Sequence, residues 1–213
     1  MPKLRVHNLA VSLDGYAAGP SQCLADPLGK RGMALHEWVF KTRSGKAMAG
    51  EDGGEEGIDD DFIAAGESGI GATIMGRNMF GPVRGPWPDE EWTGWWGPNP
   101  PYHHPVFVLT HHLRPSITME GGTVFHFVDE PIEAVLARAF EAADGADVRL
   151  GGGVATIQQY LRAGLVDEMH VAVTPVILGA GERLLDGGAA DGYECTEFTP
   201  SQSVAHYRLT RKP

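Results

Sequence analysis

The sequence predicts an α/β protein built on a mixed, mostly parallel central sheet flanked by helices, with an antiparallel edge at its C-terminal end. Three observations carry this. Residues 124–174 read as strand, helix, strand, helix and strand, an alternation that predicts parallel pairing through right-handed crossovers. Two short apolar runs at 72–75 and 106–109 are long enough only for buried strands. After the last helix, strands near 169–173 and 204–210 have no crossover left to use, so they must pair antiparallel.

The elements follow in order. Residues 4–11 alternate apolar and polar side chains and run into Ser12-Leu13-Asp14-Gly15, where Asp-Gly signals a turn. Met33, Leu35, Trp38 and Val39 mark a short helix. Residues 50–61 are glycine-rich and acidic and predict a surface excursion with a solvated charge run at 51–61; a second helix is expected at 60–67. Residues 85–105 carry many prolines and Trp87, Trp92, Trp95 and Trp96, which predicts an ordered loop. These indoles suit either stacking on a flat heterocycle, pinning of the loop, or a subunit contact. A strand at 124–128 leads to a helix with Pro131 in its first position and an apolar stripe of Ile132, Val135, Leu136, Ala139 and Phe140. A strand at 147–150, a tight turn at Gly151-Gly152-Gly153 and a helix at 154–163 closed by Gly164 complete the pattern.

The 213 residues contain no Pro/Gly/Ser-rich linker, so residues 1–213 are expected to form one domain. Seventeen Lys and Arg against 28 Asp and Glu give a formal charge of −11, which repels a phosphate backbone and argues against a nucleic-acid partner. Cys23 and Cys195 have no disulfide or zinc spacing, and no metal is expected. The adjacent pairs His103-His104 and His111-His112 point to opposite faces of a strand, a poor arrangement for sharing an ion. With no long apolar segment or leader pattern, a cytoplasmic protein away from membranes is expected.

The glycine triplet stands between a strand and a helix, where small residues let a diphosphate approach and the N–H groups of Val154, Ala155 and Thr156 carry the positive end of the helix dipole. A lone triplet equally serves a tight turn, and its spacing is not the G-x-G-x-x-G of a standard dinucleotide-binding domain. Gly76-Arg77-Asn78 follows a buried strand, which puts a permanently charged guanidinium at a carboxyl end of the sheet, where such folds place ligands. Thr110, His111 and His112 occupy the same position after the next strand. Each of these alone is also what a surface ion pair or polar loop would give.

Taken in register, Ala10-Val11-Ser12-Leu13-Asp14-Gly15, Ile74-Met75-Gly76-Arg77, Val108-Leu109-Thr110, Gly151-Gly152-Gly153, Gly164-Leu165-Val166-Asp167-Glu168 and Pro175-Val176-Ile177-Leu178-Gly179-Ala180-Gly181 resemble the dihydrofolate reductase-like family. The branch they resemble is the riboflavin-biosynthesis reductase domain. That resemblance implies NADPH as cofactor, a small heterocyclic substrate, pterin-like or pyrimidine-like, and a homodimer. It implies cofactor contacts from Ala10, Gly15, Gly76, Arg77, Asn78, Leu109, Thr110, Gly151, Gly152, Gly153, Val154, Ala155 and Thr156, with Asp14 as the polar residue near the reacting centre. Folate reductases carry a carboxylate on their first helix; here Leu35 stands in its place and Glu37 lies two positions on, either a displaced catalytic acid or an exposed helix carboxylate. The same cleft would suit a dinucleotide- or flavin-binding regulatory protein without turnover.

Overall fold

The computed structural model describes residues 1–81 and 85–213. Strands β1 (Leu4–Ser12), β2 (Tyr16–Ala18), β3 (Ile70–Gly76), β4 (Pro105–Leu109), β5 (Ile117–Thr118), β6 (Val124–Val128), β7 (Asp147–Gly152), β8 (Glu168–Thr174), β9 (Glu182–Arg183), β10 (Tyr193–Pro200) and β11 (Ala205–Arg211) are interspersed with helices. The helices are α1 (Glu37–Lys41), α2 (Arg43–Met48), α3 (Ile58–Glu67), α4 (Arg77–Phe80), α5 (Ile132–Ala142) and α6 (Val154–Arg162). Nine strands form one sheet in the order β10-β11-β8-β1-β7-β3-β4-β6-β5. β1/β7, β7/β3, β3/β4 and β4/β6 are parallel, whereas β8/β11, β11/β10 and β5/β6 are antiparallel. The expected mixed sheet with an antiparallel C-terminal edge is therefore present. Consecutive β6 and β7 are separated by β3 and β4, so the crossovers between 124 and 174 span the sheet rather than joining neighbours.

The chain divides into two compact units, one comprising 1–5 and 69–165, the other 6–68 and 166–213. In the first, register places Met75, Val108 and Phe127 on one face of the sheet and Ile74, Phe107 and His126 on the other. Met75, Val106, Val108, Phe125 and Phe127 pack with Phe80 and Tyr102 into an apolar cluster. Each such buried side chain contributes roughly 1.5–3 kcal/mol. α5 buries Val135, Leu136 and Ala139, and Arg138 reaches over the Phe107 ring on the opposite face. Pro131 is not the first helical residue: its ψ of 142° is extended, and its carbonyl accepts from Ala134 and Val135, so it caps α5 from outside. α6 ends in a Schellman motif, with Gly164 at φ 66° donating to Leu161 and Leu165 donating to Tyr160.

The four tryptophans pin the loop that carries them. Trp92 and Trp95 donate from Nε1 to the carbonyls of Phe80 and Met79 at 2.9 Å each, closing the C-terminal end of α4. Trp87 donates to His112 O at 2.7 Å, and Trp96 stacks against Phe125.

In the second unit, Trp38 of α1, Ile63 of α3, Ala172 of β8 and Val204 form a core. β8 is buried along nearly its whole length, with Val173 half-buried, and it lies between β11 and β1 in the sheet. The acidic run is not wholly a solvated face. α3 begins at Ile58, its Asp60 is buried and accepts from Ser44 N at 2.6 Å, tying down the start of α2, and Asp59 meets His206 at 2.8 Å. Cys23 and Cys195 are exposed free thiols. No helix among the described residues is long and apolar enough to cross a membrane.

Candidate functional site

At the carboxyl ends of β3, β4 and β6 the first unit opens a cleft of about 300 Å³. Arg77 and Asn78, just past β3, line it with Leu109 and Thr110 at the end of β4 and Thr156 in the first turn of α6. Five of the residues expected to hold a cofactor are thus brought together. Sequence reasoning missed Asp129, Glu130 and Gln159 on the same wall. The same strand-end rule that selected Arg77 and Thr110 would have selected Asp129, which follows β6, and Gln159 lies one turn beyond Thr156 on α6.

The lining of the cleft carries both signs of charge, with Arg77 beside the carboxylates of Asp129 and Glu130. The Arg77 guanidinium lies 3.8 Å from the centre of the Trp87 ring, and its Nη1 donates to Gly85 O. Its Nε and Nη2 are buried and have no acceptor among the described residues. Burial lowers the Arg77 pKa from its ordinary value, yet a guanidinium stays charged at any ordinary pH. Nε and Nη2 form the side-on fork that matches two oxygens of a phosphate, so an anion at Arg77 would satisfy an otherwise unpartnered donor pair. Opposite, the Thr110 amide donates to Val128 O and its Oγ1 accepts from His112 N at 3.1 Å, which holds the turn after β4 in place. His111 Nδ1 lies 2.8 Å from Asp129 Oδ1.

The glycines answer to close approach. A Cβ on Gly76 would come within 2.3 Å of Thr156 Oγ1 and 3.3 Å of Gly153 N, so only glycine lets the end of β3 sit against the start of α6. The triplet is not wholly a turn: β7 runs through Gly151 and Gly152, with Gly152 paired to Met75, and Gly153 alone precedes the helix. The Gly152–Gly153 peptide is cis. A Cβ on Gly153 would meet nothing within 4 Å, which leaves open space before α6. No side chain caps that helix; the Thr156 amide donates to Gly153 O, so Val154 and Ala155 rather than all three supply its foremost N–H groups. These residues suit a diphosphate, although Gly151, Gly152, Gly153, Val154 and Ala155 are not among those lining the cleft.

The remaining expected residues belong to the second unit. Ala10 is buried in β1, and Gly15 has φ 87° in the turn after it. Asp14 Oδ1 accepts from Leu178 N at 3.1 Å and Oδ2 from Gly179 N at 2.7 Å. Hydrogen bonds from Ser12 first, then from these amides, lower its pKa to about 2, so it is ionised at neutral pH and its visible work is to tie two loops together. Glu37 is exposed at the start of α1, and Leu35 is fully buried.

Fold and cleft together describe an α/β protein with a cleft at the carboxyl ends of its parallel strands, lined in part by Arg77. The chain belongs to the RibD C-terminal domain family, whose model matches residues 2–207. Among solved structures it is similar to a candidate riboflavin biosynthesis protein from Shewanella sp. PV-4, at 21% identity and TM-score 0.63 over 100% of both chains. A pyrimidine reductase-like protein from Corynebacterium diphtheriae matches at 13% identity and TM-score 0.55, over 100% of this chain and 92% of that one. A diaminohydroxyphosphoribosylaminopyrimidine deaminase/5-amino-6-(5-phosphoribosylamino)uracil reductase from Thermotoga maritima matches at 14% identity and TM-score 0.54, over 99% of this chain and 57% of that one. Among curated proteins, none matches the chain.

Proposed function

We propose that this protein is an NADPH-dependent reductase that delivers a hydride to a small heterocycle, pterin-like or pyrimidine-like. The carrying observation is the Arg77 fork, buried in the wall of a cleft at the strand ends without an acceptor among the described residues. Membership of the RibD C-terminal domain family and likeness to a pyrimidine reductase-like fold support the same reading.

In this reading Arg77 binds the phosphate at the adenosine end, with Thr110 and Asn78 beside it. Gly76 lets β3 approach α6, and Gly153, Val154 and Ala155 present open backbone to the diphosphate. The bound cofactor would supply the hydride, and the chain would orient it against the substrate. Asp14, ionised and engaged by two amides, does not deliver the accompanying proton, which we assign to solvent water. A cytoplasmic homodimer without nucleic-acid partners completes the reading.

A second reading, a dinucleotide- or flavin-binding regulatory protein, is favoured by one observation: neither exposed Glu37 nor engaged Asp14 offers a free acid. Titrating NADPH and NADH into the purified protein and into Arg77→Ala tests the binding claim. Screening pterins and pyrimidines for NADPH oxidation then separates reductase from binder, because only the reductase consumes the cofactor.

A further inference from the structure

Arg77 is held by a single aromatic residue from the long loop. Its guanidinium lies 3.8 Å from the centre of the Trp87 indole, and its Nη1 bonds to Gly85 two residues earlier in the same loop. Those contacts occupy one face and one edge of the planar group, and leave the Nε/Nη2 edge as the one without an acceptor among the described residues. Trp87 is itself fixed from several sides. Its Nε1 donates to His112 O, its ring meets Phe80 and Phe127 edge-on, and Arg114 lies 5.2 Å from its centre. Arg114 in turn bonds to the carbonyls of Trp92 and Glu90. The indole thus joins Arg77, after β3, to the turn after β4, two of the segments that line the cleft.

A free arginine samples many rotamers, and a fork held on an aromatic plane forfeits less entropy when it meets a phosphate. We propose that Trp87 is a positioning residue that makes the cleft select a phosphorylated ribose: it holds Arg77 so that the Nε/Nη2 edge is the one presented to the anion. Trp87 does not touch the anion in this account; it acts through Arg77. The inference rests on the reading of the cleft as a dinucleotide site with Arg77 at the 2'-phosphate.

The test compares Trp87→Phe with Trp87→Leu. Both lose the indole N–H and both keep an apolar side chain in the cluster, but only phenylalanine keeps a π face under the guanidinium. Dissociation constants for NADPH and for NADH are measured by calorimetry on both variants, on Arg77→Ala and on the parent. The expected result is about a tenfold weaker NADPH affinity in Trp87→Leu with NADH affinity unchanged, and near-parent values in Trp87→Phe. Identical behaviour of Phe and Leu, or equal weakening of both cofactors, overturns the positioning role. If Arg77→Ala leaves the NADPH-to-NADH ratio unchanged, the assignment of Arg77 itself falls, and the role of Trp87 with it. An altered ratio in Arg77→Ala beside a parent-like Trp87→Leu sinks the positioning role alone. A thermal melt of each variant shows whether it is folded at the temperature of titration.

Discussion

Gly76 and Asp14 have opposite fates among the residues the sequence singled out. Gly76 matters for what its missing side chain permits. Replacing it with alanine sets a Cβ 2.3 Å from Thr156 Oγ1, and overpacking of this kind costs about 1–3 kcal/mol. Gly76→Ala is therefore expected to lower stability by that amount in urea melts, and Thr156→Ala in the same background to restore part of it. Additive losses in the double variant would show that the two residues do not collide. Asp14 was selected for its place beside the expected reacting centre, yet the structure gives its carboxylate to Leu178 and Gly179. With its pKa at about 2, it has no proton to give near neutrality. Once a substrate is in hand, the pH–rate profile of Asp14→Asn between pH 5 and 8 should keep the parent's shape. Loss of an acid limb in the variant would return Asp14 to the chemistry.

At the level of elements, the strands and helices with a clear apolar period were legible: β1, β3, β4, β6, α5 and α6 fall where the pattern put them. β10 was invisible because it is an edge strand whose residues from Glu194 to Phe198 are exposed, so no buried stripe marks it. α4, a single turn, is too short to show a period. Contacts across the sequence were equally hidden, and the histidines of the second unit show this best. Asn8 N–H donates to His170 Nδ1, so the His170 proton sits on Nε2 and points to His206 Nδ1 at 3.0 Å; His206 Nε2 then donates to Asp59. Phe62 stacks on both rings, and Trp38 meets both edge-on. Every hydrogen bond in this chain is satisfied with both imidazoles neutral.

Burial first, then the neighbouring His206, His7 and Arg208, lower the His170 pKa to about 3; burial lowers that of His206. Both folded values lie below the unfolded one, near 6.5, so the unfolded chain binds more protons as pH falls. Their contribution to stability is fully present above about pH 6.5 and is lost on acidification, His170's through the range down to about 3, at up to roughly 1.4 kcal/mol per pH unit for each ring. Glu168, lowered to about 2 by its hydrogen bond from His7 and then by Arg208, adds a loss of the same sign below pH 4.5. Urea melts should therefore show falling stability between pH 6.5 and 4.5, before the carboxylates titrate. A flat profile over that window would mean the rings are not held neutral.

For the whole molecule, the alternation of 124–174 and the crossover-free C-terminal strands were enough to fix the mixed sheet, because both constrain topology rather than single positions. The site was legible in part. Arg77, Asn78, Leu109, Thr110 and Thr156 converge on one cleft because all stand at strand ends or at the helix start that follows one. Asp129, which follows β6, was within reach of the same strand-end rule, whereas Gln159 went unseen since only the docking of α6 brings it there. Residues 1–213 were expected to form one domain; the chain divides into two compact units, each discontinuous in sequence.

The central claim is that the Arg77 cleft receives a phosphorylated dinucleotide, and calorimetric titration of NADPH and NADH into the parent protein and Arg77→Ala tests it most directly. The account predicts NADPH bound more tightly than NADH, with that preference lost in the variant as the bidentate charge contact disappears. Absence of binding by either cofactor, or an equal preference in both proteins, would contradict it.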